Sequence, residues 1–211
     1  MDRSIDHYIE SLLPTRNELF EEMEKVAEKE HIPIMEQMAI EVMLQFMRMQ
    51  NPAKILEVGT AIGYSALRMA DALPDVEIVT LEIDPVRAEQ ARKYFRKAGA
   101  DGRITILEGD ALELVDKVTE RGPYDAIFID AAKGQYMKFF NMYGPLLGDR
   151  GCIYSDNVLF RGYVAEEIVQ QRRFRSLARK MKEFNRFLME HEGYITTIIP
   201  VGDGLAVSKK R

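Results

Sequence analysis

Four polar residues, Asp130, Lys133, Asp156 and Asn157, stand at or just past the ends of apolar runs. Residues 124–129 (YDAIFI) lead into Asp130-Ala131-Ala132-Lys133, and residues 151–155 lead into Asp156-Asn157. If these runs are neighbouring strands, Asp130, Asp156 and Asn157 converge at one edge of a sheet, each offering a hard oxygen. Oxygen-only ligation favours Mg²⁺, Ca²⁺ or Mn²⁺ over zinc, and a partial set of protein ligands leaves positions for water and substrate, as Mg²⁺ prefers. Lys133 is the candidate base, since desolvation and a nearby dication both lower an amine's pKa. The plainer alternative is that both aspartates cap the segments that follow and Lys133 is a solvated loop lysine.

A second group lies at residues 54–64, KILEVGTAIGY, where an apolar run carries Glu57, ends in a turn with Gly59 and Gly63, and passes at once into a helical pattern. This reads as buried strand, tight turn, helix. Glycine tolerates positive φ and lets a ligand lie against bare backbone. The dinucleotide fingerprint is incomplete, with Ala61 and Tyr64 at its second and third glycine positions, so a pyrophosphate is not the expected guest. A carboxylate at Glu57 suits a cationic ligand such as S-adenosylmethionine (SAM), which carries a sulfonium and an ammonium. Glu82 follows the turn by about 20 residues, where an acid reaches a ribose diol. Asp110, with Ala111, is placed to read an adenine, and is equally a good N-cap for the next helix. An ordinary turn between packed elements is the alternative for the whole group.

The elements that must hold these residues follow from periodicity. After residue 53, strands at 77–81, 103–107, 124–129 and 151–155 alternate with helices at 86–97, 111–120 and 136–147. Such alternation predicts a mostly parallel α/β sheet that binds ligands beyond the carboxyl ends of its strands. Residues 194–200 and 204–208, around Gly202-Asp203-Gly204, predict an antiparallel edge hairpin. Residues 1–50 read as a helical cap: a short face of Ile9, Leu12 and Leu13, a helix carrying Leu19, Phe20, Met23, Val26 and Ala27, and, after Pro33, a stripe of Met38, Val42, Phe46 and Met49. Such a methionine stripe is core or a flexible apolar contact surface, and the cap is expected to act as lid and dimer interface.

The 211 residues, 46% hydrophobic and 30% charged, suffice for one large domain. No apolar run approaches the roughly 20 residues of a membrane span, and the N-terminus lacks a secretory apolar region, so a cytoplasmic protein without membrane partners is expected. A single cysteine, Cys152, excludes an intramolecular disulfide, and three scattered histidines give no zinc spacing. The net charge of −5 argues against a general nucleic-acid binder unless a local basic patch overrules it.

Taken in order, EVGTAIGYSA, LEID, EGDA, FIDAAK, SDNVLFRG and VGDGLAVSKK resemble the cation-dependent, SAM-dependent O-methyltransferases, the group of catechol and caffeoyl-CoA O-methyltransferases and their small bacterial relatives. The resemblance spans nearly the whole chain. It implies one domain over 1–211, a cap at 1–50 on a Rossmann-like class I methyltransferase core at 51–211, with a seven-stranded sheet whose last strand is reversed, and a homodimer. It further implies that Glu57, Gly59 and Ser65 line the methionine end of SAM, Glu82 holds the ribose, and Asp110 with Ala111 the adenine. Asp130, also beside the cofactor, would bind Mg²⁺ or another hard divalent cation with Asp156 and Asn157. Lys133 would take the proton, and Met38 falls where the family's lid touches the cofactor. Phe160 replaces the tryptophan usual in this stretch and leaves the metal pair intact.

The acceptor turns on residues 161–187, where an apolar face (Phe174, Leu177, Met181, Phe184) runs beside a basic stripe, Arg172, Arg175, Arg179, Lys182 and Arg186, with Arg161, Arg173, Lys180 and the terminal Lys209-Lys210-Arg211 adding charge. An RNA backbone gains from several such contacts, whereas a solvated helix face is the usual meaning of a charged stripe. Within the family the chain looks most like the bacterial enzymes that methylate 5-hydroxyuridine at the tRNA wobble position, so tRNA is the first expected partner. A small catechol-like or acyl-CoA phenol is the second. A non-catalytic SAM-binding module and a nicotinamide dehydrogenase remain alternatives, the latter opposed by the missing glycines.

Overall fold

The computed structural model describes residues 3–211. Three helices come first: α1 (Arg3–Leu12), α2 (Glu18–Glu30) and α3 (Gln37–Gln50). Asn17 caps α2 by accepting the Phe20 N–H at 3.0 Å, as an N-cap side chain should. Strands β1 (Lys54–Val58), β2 (Glu77–Glu82), β3 (Ile104–Glu108), β4 (Tyr124–Ile129) and β5 (Leu147–Ser155) then alternate with α4 (Tyr64–Ala72), α5 (Pro85–Lys97), α6 (Val115–Thr119) and α7 (Tyr136–Tyr143). A long helix α8 (Arg172–Glu190) and the strands β6 (Tyr194–Ile199) and β7 (Leu205–Lys210) complete the chain. The expected helix at 111–120 is shorter than predicted, because residues 111–114 form a turn.

The sheet has seven strands in the order β3-β2-β1-β4-β5-β7-β6, and only β7 runs against its neighbours. The chain crosses from one half of the sheet to the other between β1 and β4, the switch point where such sheets open a crevice. Both sides are covered. Ile55, Ile78, Ala126, Phe128 and Tyr154 pack against α2–α5, while Leu56, Val58, Ile127 and Ile129 pack against α7 and α8. A sheet buried on both faces explains why its central strands read as continuous apolar runs.

The cap differs from the expected stripe. Helix α3 buries Ala39, Ile40, Met43, Leu44 and Met47, whereas Phe46 and Met49 are 37% and 76% exposed. Gln37, Glu41, Gln45 and Arg48 form a polar stripe, and the apolar arc that remains is wider than one packing face, so spacing alone did not select which part of it packs. Helix α1 likewise leaves Ile5, Tyr8, Ile9 and Leu12 exposed. Among the described residues, no helix is long and apolar enough to cross a membrane.

Candidate active site

Parallel pairing of β4 with β5 sets Ile129 opposite Ser155, so the residues that follow, Asp130 and Asp156, leave the sheet side by side. The Asp156 N–H donates to Ile129 O at 3.1 Å and the Asp130 N–H to Val58 O at 3.0 Å, which extends the ladder to the two acids. Asn157 adopts a left-handed φ of 56° and turns its amide back: Nδ2 donates to Asp156 Oδ2 at 3.0 Å. Lys133 Nζ donates to Asn157 Oδ1 at 2.6 Å. Four residues from the two segments that follow β4 and β5 thus meet at one point.

Burial makes this cluster electrostatically loaded. Asp130 is raised above the usual carboxylate range by desolvation, an effect that the Lys133 charge opposes. Asp156 is raised by desolvation and then by the neighbouring Asp130 charge. Asp156 Oδ1 is buried with no hydrogen-bond partner among the described residues. Two crowded carboxylates, an amide oxygen and an orphaned buried acceptor fit a hard divalent cation, which would relieve the repulsion and fill the orphan. No group of three or more His, Cys, Asp or Glu that could hold a metal occurs among the described residues. The candidate set here is two carboxylates and an amide.

Beside the cluster opens a cleft of about 440 Å³, of the size that takes a small molecule or cofactor. Gly59, Ser65, Glu82, Asp110, Ala111, Asp130, Lys133 and Asn157 all line it. Gly59, at φ 106°, lies so close to β4 that a Cβ there would stand 2.0 Å from Asp130 O, which is why glycine is required. Ala61 also takes a left-handed φ of 46°, and its N–H is held by Glu82 Oε2 at 2.7 Å. The other Glu82 oxygen accepts the Asp84 N–H at 2.9 Å. Glu82 is therefore fixed by the backbone while its remaining lone pairs face the cleft. Asp110 Oδ1 accepts the Leu112 N–H at 2.8 Å, so it caps the turn at 111–114 while lining the cleft.

Two of the expected cofactor residues lie elsewhere. Glu57 is fully buried behind the wall, on the face of β1 that meets α4, where Ser65 Oγ and Thr80 Oγ1 each donate to it at 2.5 Å. Desolvation pushes its pKa up to about 8 against the pull of those two hydroxyls. Met38 packs beside the cap's core and is outside the cleft lining. The extended segment Pro33, Ile34 and Met35, just before α3, roofs the cleft instead, and Tyr64 and Phe139 complete its apolar wall. Pro33 signalled the break in the sequence, but nothing there showed that the break becomes the roof. Tyr64, whose hydroxyl donates to Glu24 at 2.6 Å, ties that wall to the cap.

The basic stripe divides. Arg175 Nε donates to Val169 O at 2.7 Å, Lys182 Nζ to Glu166 O at 2.5 Å, and Arg179 to Glu183 Oε1 at 2.8 Å. These cations serve their own chain. Arg172 and Arg173 begin α8, with the Arg173 guanidinium 4.5 Å from the Phe174 ring centre and that of Arg161 5.8 Å from it. Lys180 reaches over Gly134, next to Lys133. Lys209 and Lys210 lie at the opposite end of the sheet, because antiparallel β7 pairs Ala206 with Ser155 but Lys209 with Cys152.

An α/β sheet with a nucleoside-sized cleft at its switch point and an oxygen-donor cluster at the cleft's end is the architecture of a nucleoside-cofactor enzyme. Residues 10–211 match the profile of a family described as O-methyltransferase. The chain is 36% identical over 169 residues to a catechol O-methyltransferase of Niastella koreensis, covering 78% of this chain and 76% of that one. It is 30% identical over 209 residues to a caffeoyl-CoA O-methyltransferase of Medicago sativa, covering 95% and 85% respectively. A Staphylococcus aureus structure provisionally named a caffeoyl-CoA O-methyltransferase superposes with a TM-score of 0.91 at 36% identity, covering 97% of this chain and 98% of that one. The SAH-bound methyltransferase PaMTH1 of Podospora anserina gives a TM-score of 0.83 at 26% identity, covering 99% and 94%. The chain belongs to the O-methyltransferase family and is a SAM-dependent enzyme of the catechol and caffeoyl-CoA type.

Proposed function

We propose that the chain is a Mg²⁺-dependent O-methyltransferase, or uses another hard divalent cation, and that its acceptor is 5-hydroxyuridine at the tRNA wobble position, converted to 5-methoxyuridine. The observation that carries the metal reading is the Asp130–Asp156–Asn157 set, in which Asp130 and Asn157 are half-buried in the cleft lining and the adjoining Asp156 is buried with one oxygen unpartnered among the described residues. Such a set suits an acceptor with two adjacent oxygens, as in a catechol or in the 5-hydroxyl and O4 of this uridine.

Glu82 would hold the ribose, Asp110 and Ala111 the adenine, and the wall at Gly59 and Ser65 the methionine end of SAM. Glu57, behind that wall, would act on it through Ser65. The bound ion would keep the acceptor oxygen ionised near neutral pH, and SAM would supply the methyl group that this oxygen takes from sulfur. Lys133 stands at the same point to receive the acceptor's proton. The roof at residues 33–35 excludes water, and positioning of both reactants in one cleft supplies much of the rate.

The tRNA reading is supported by Lys180, which reaches over Gly134 beside Lys133, and by Arg161 and Arg173 around the Phe174 ring, as cations for an RNA backbone, and by the wobble base being unpaired, a target that proteins can splay out. The reading of a small phenol is favoured by the self-satisfied half of the stripe and by the relatives named for catechol and caffeoyl-CoA. We also read 1–211 as a single cytoplasmic unit that pairs as a homodimer through the exposed apolar faces of α1 and α3.

The test is methyl transfer from labelled SAM, with Mg²⁺ and with chelator, to total tRNA from a strain lacking this protein, beside a simple catechol. Metal-dependent label in a single modified uridine supports tRNA. In that case Arg173→Glu with Lys180→Glu should raise KM for tRNA about tenfold and leave catechol kinetics alone. Label on the catechol alone would replace the tRNA reading with the small-phenol one.

A further inference from the structure

The segment that delivers Asn157 is the most strained in the site. Asn157, Phe160 and Arg161 have φ of 56°, 45° and 55°, a left-handed backbone at three non-glycine residues within five positions. Such conformations persist only where the surroundings over-determine them. Bonds within the segment are few: Phe160 N–H to Asn157 O at 3.1 Å and Gly162 N–H to Leu159 O at 3.0 Å. Asn185 Nδ2 adds a bond to Val158 O at 2.8 Å.

The remaining constraints come from the turn between β6 and β7. Val158 N–H donates to Gly204 O at 3.0 Å and Leu159 N–H to Asp203 O at 2.9 Å. The Asp203 carboxylate accepts the N–H of Arg161 through Oδ1. Gly204, at φ 91°, comes so near that a Cβ would stand 2.4 Å from Leu159 Cγ and 2.9 Å from Leu159 N. On its other side the turn abuts the cap, where a Cβ on Gly202 would meet Ala39 Cβ at 3.0 Å. Asp203 is the one turn residue that holds residues 157–162 by both its main chain and its side chain.

We propose that Asp203 is a positioning residue for the metal site: by fixing the Arg161 N–H with its carboxylate and the Leu159 N–H with its main-chain oxygen it imposes the left-handed turn that holds the Asn157 amide between Asp156 and Lys133. This rests on the metal reading given above. The residue touches neither acceptor nor cofactor in this role. It acts through the backbone of the 157–162 segment. The carboxylate's bond from the Arg161 N–H is charge-assisted, which suits it to the task, while the Leu159 N–H is held by the main-chain oxygen of Asp203. Partners that orient metal ligands are worth about 10–100-fold in metal affinity.

The experiment uses the full chain and two readouts that need no turnover. Mn²⁺ binding is followed by the signal of the free ion, and backbone hydrogen exchange is followed over residues 157–162 in chelator. Asp203→Ala should weaken Mn²⁺ binding about tenfold and speed exchange at residues 158–162, with SAM affinity changed less than about twofold. Asp203→Asn, which keeps an oxygen to accept the Arg161 N–H, should recover most of both. An alanine variant that binds Mn²⁺ and exchanges like the parent overturns the proposal, as does an asparagine variant no better than alanine. Should Asp203→Ala fail to fold, Gly204→Ala perturbs the same clamp through Leu159 and is read in the same way. A parent protein that binds no Mn²⁺ overturns the metal reading and this proposal with it, whereas a binding parent with an unaffected alanine variant overturns only the positioning role.

Discussion

Replacing Gly59 by alanine tests whether the glycine turn and the metal edge are one rigid piece. The added Cβ would lie 2.0 Å from Asp130 O and 2.9 Å from Asp130 C, where real contacts stay beyond 3.0 Å. The two strand ends must separate by at least the 1.0 Å difference between 3.0 and 2.0, and neither partner is a flexible side chain that could swing aside. The φ of 106° adds backbone strain. Left-handed strain of about 1–2 kcal/mol and an overpacking cost of about 1–3 kcal/mol give an expected loss of about 2–5 kcal/mol. Gly99→Ala is the matched control, since its φ is 65° but nothing lies within 4 Å of the new Cβ. It should cost only the strain, about 1 kcal/mol. Urea unfolding of both variants in chelator measures the difference, and kcat/KM for methyl transfer should fall about a hundredfold in Gly59→Ala alone, because Asp130 moves with its carbonyl. A Gly59→Ala protein as stable and as active as Gly99→Ala would refute the close approach and the rigidity argued from it.

Three further outcomes are expected. Asp130→Asn should stabilise the metal-free protein by about 1–2 kcal/mol, by removing one of two crowded buried carboxylates, while abolishing Mg²⁺-dependent turnover; retained turnover in chelator would sink the metal mechanism. Glu57 titrates near 8 in the fold, above the ordinary carboxylate value, and the Asp130–Asp156 pair is shifted the same way, so the folded state binds more protons than the unfolded chain. Stability in chelator should therefore fall as pH rises from about 4.5 to about 8, with Glu57→Gln flattening part of the slope; thermal melts that climb across this window would contradict the burial of these acids. Leu12→Glu with Met49→Glu, at positions 63% and 76% exposed, should turn a dimer into a monomer in sedimentation without changing the melting temperature of the monomer unit by more than about 2 °C; a parent that sediments as a monomer would remove the proposed interface.

The order of strands and helices was legible in the sequence, and so was the standing of Asp130, Asp156, Asn157, Glu82 and Asp110 at or just past strand ends. Apolar runs and helical spacing are local properties, and acids that end apolar runs mark the carboxyl edge of a parallel sheet. Neighbouring polar groups become a site only through pairing, however. That β4 and β5 are adjacent, and that Asp130 and Asp156 repel each other while one oxygen stays unpartnered, follow from the ladder between Ile129 and Ser155. The position of Glu57 behind the wall was decided by which face of β1 it occupies, since both faces are buried and an apolar run carries no label for either. Which part of the α3 apolar face packs was open for a related reason: opposite the polar stripe of Gln37, Glu41, Gln45 and Arg48 the apolar arc is wider than one contact, and only the elements that cover it choose between its two halves. The cations of α8 show the complementary limit. Their spacing was visible, but whether a cation of α8 meets a carbonyl of its own chain or faces solvent depends on how the irregular residues 163–171 fold back along the helix, which carries no periodic signal in the sequence.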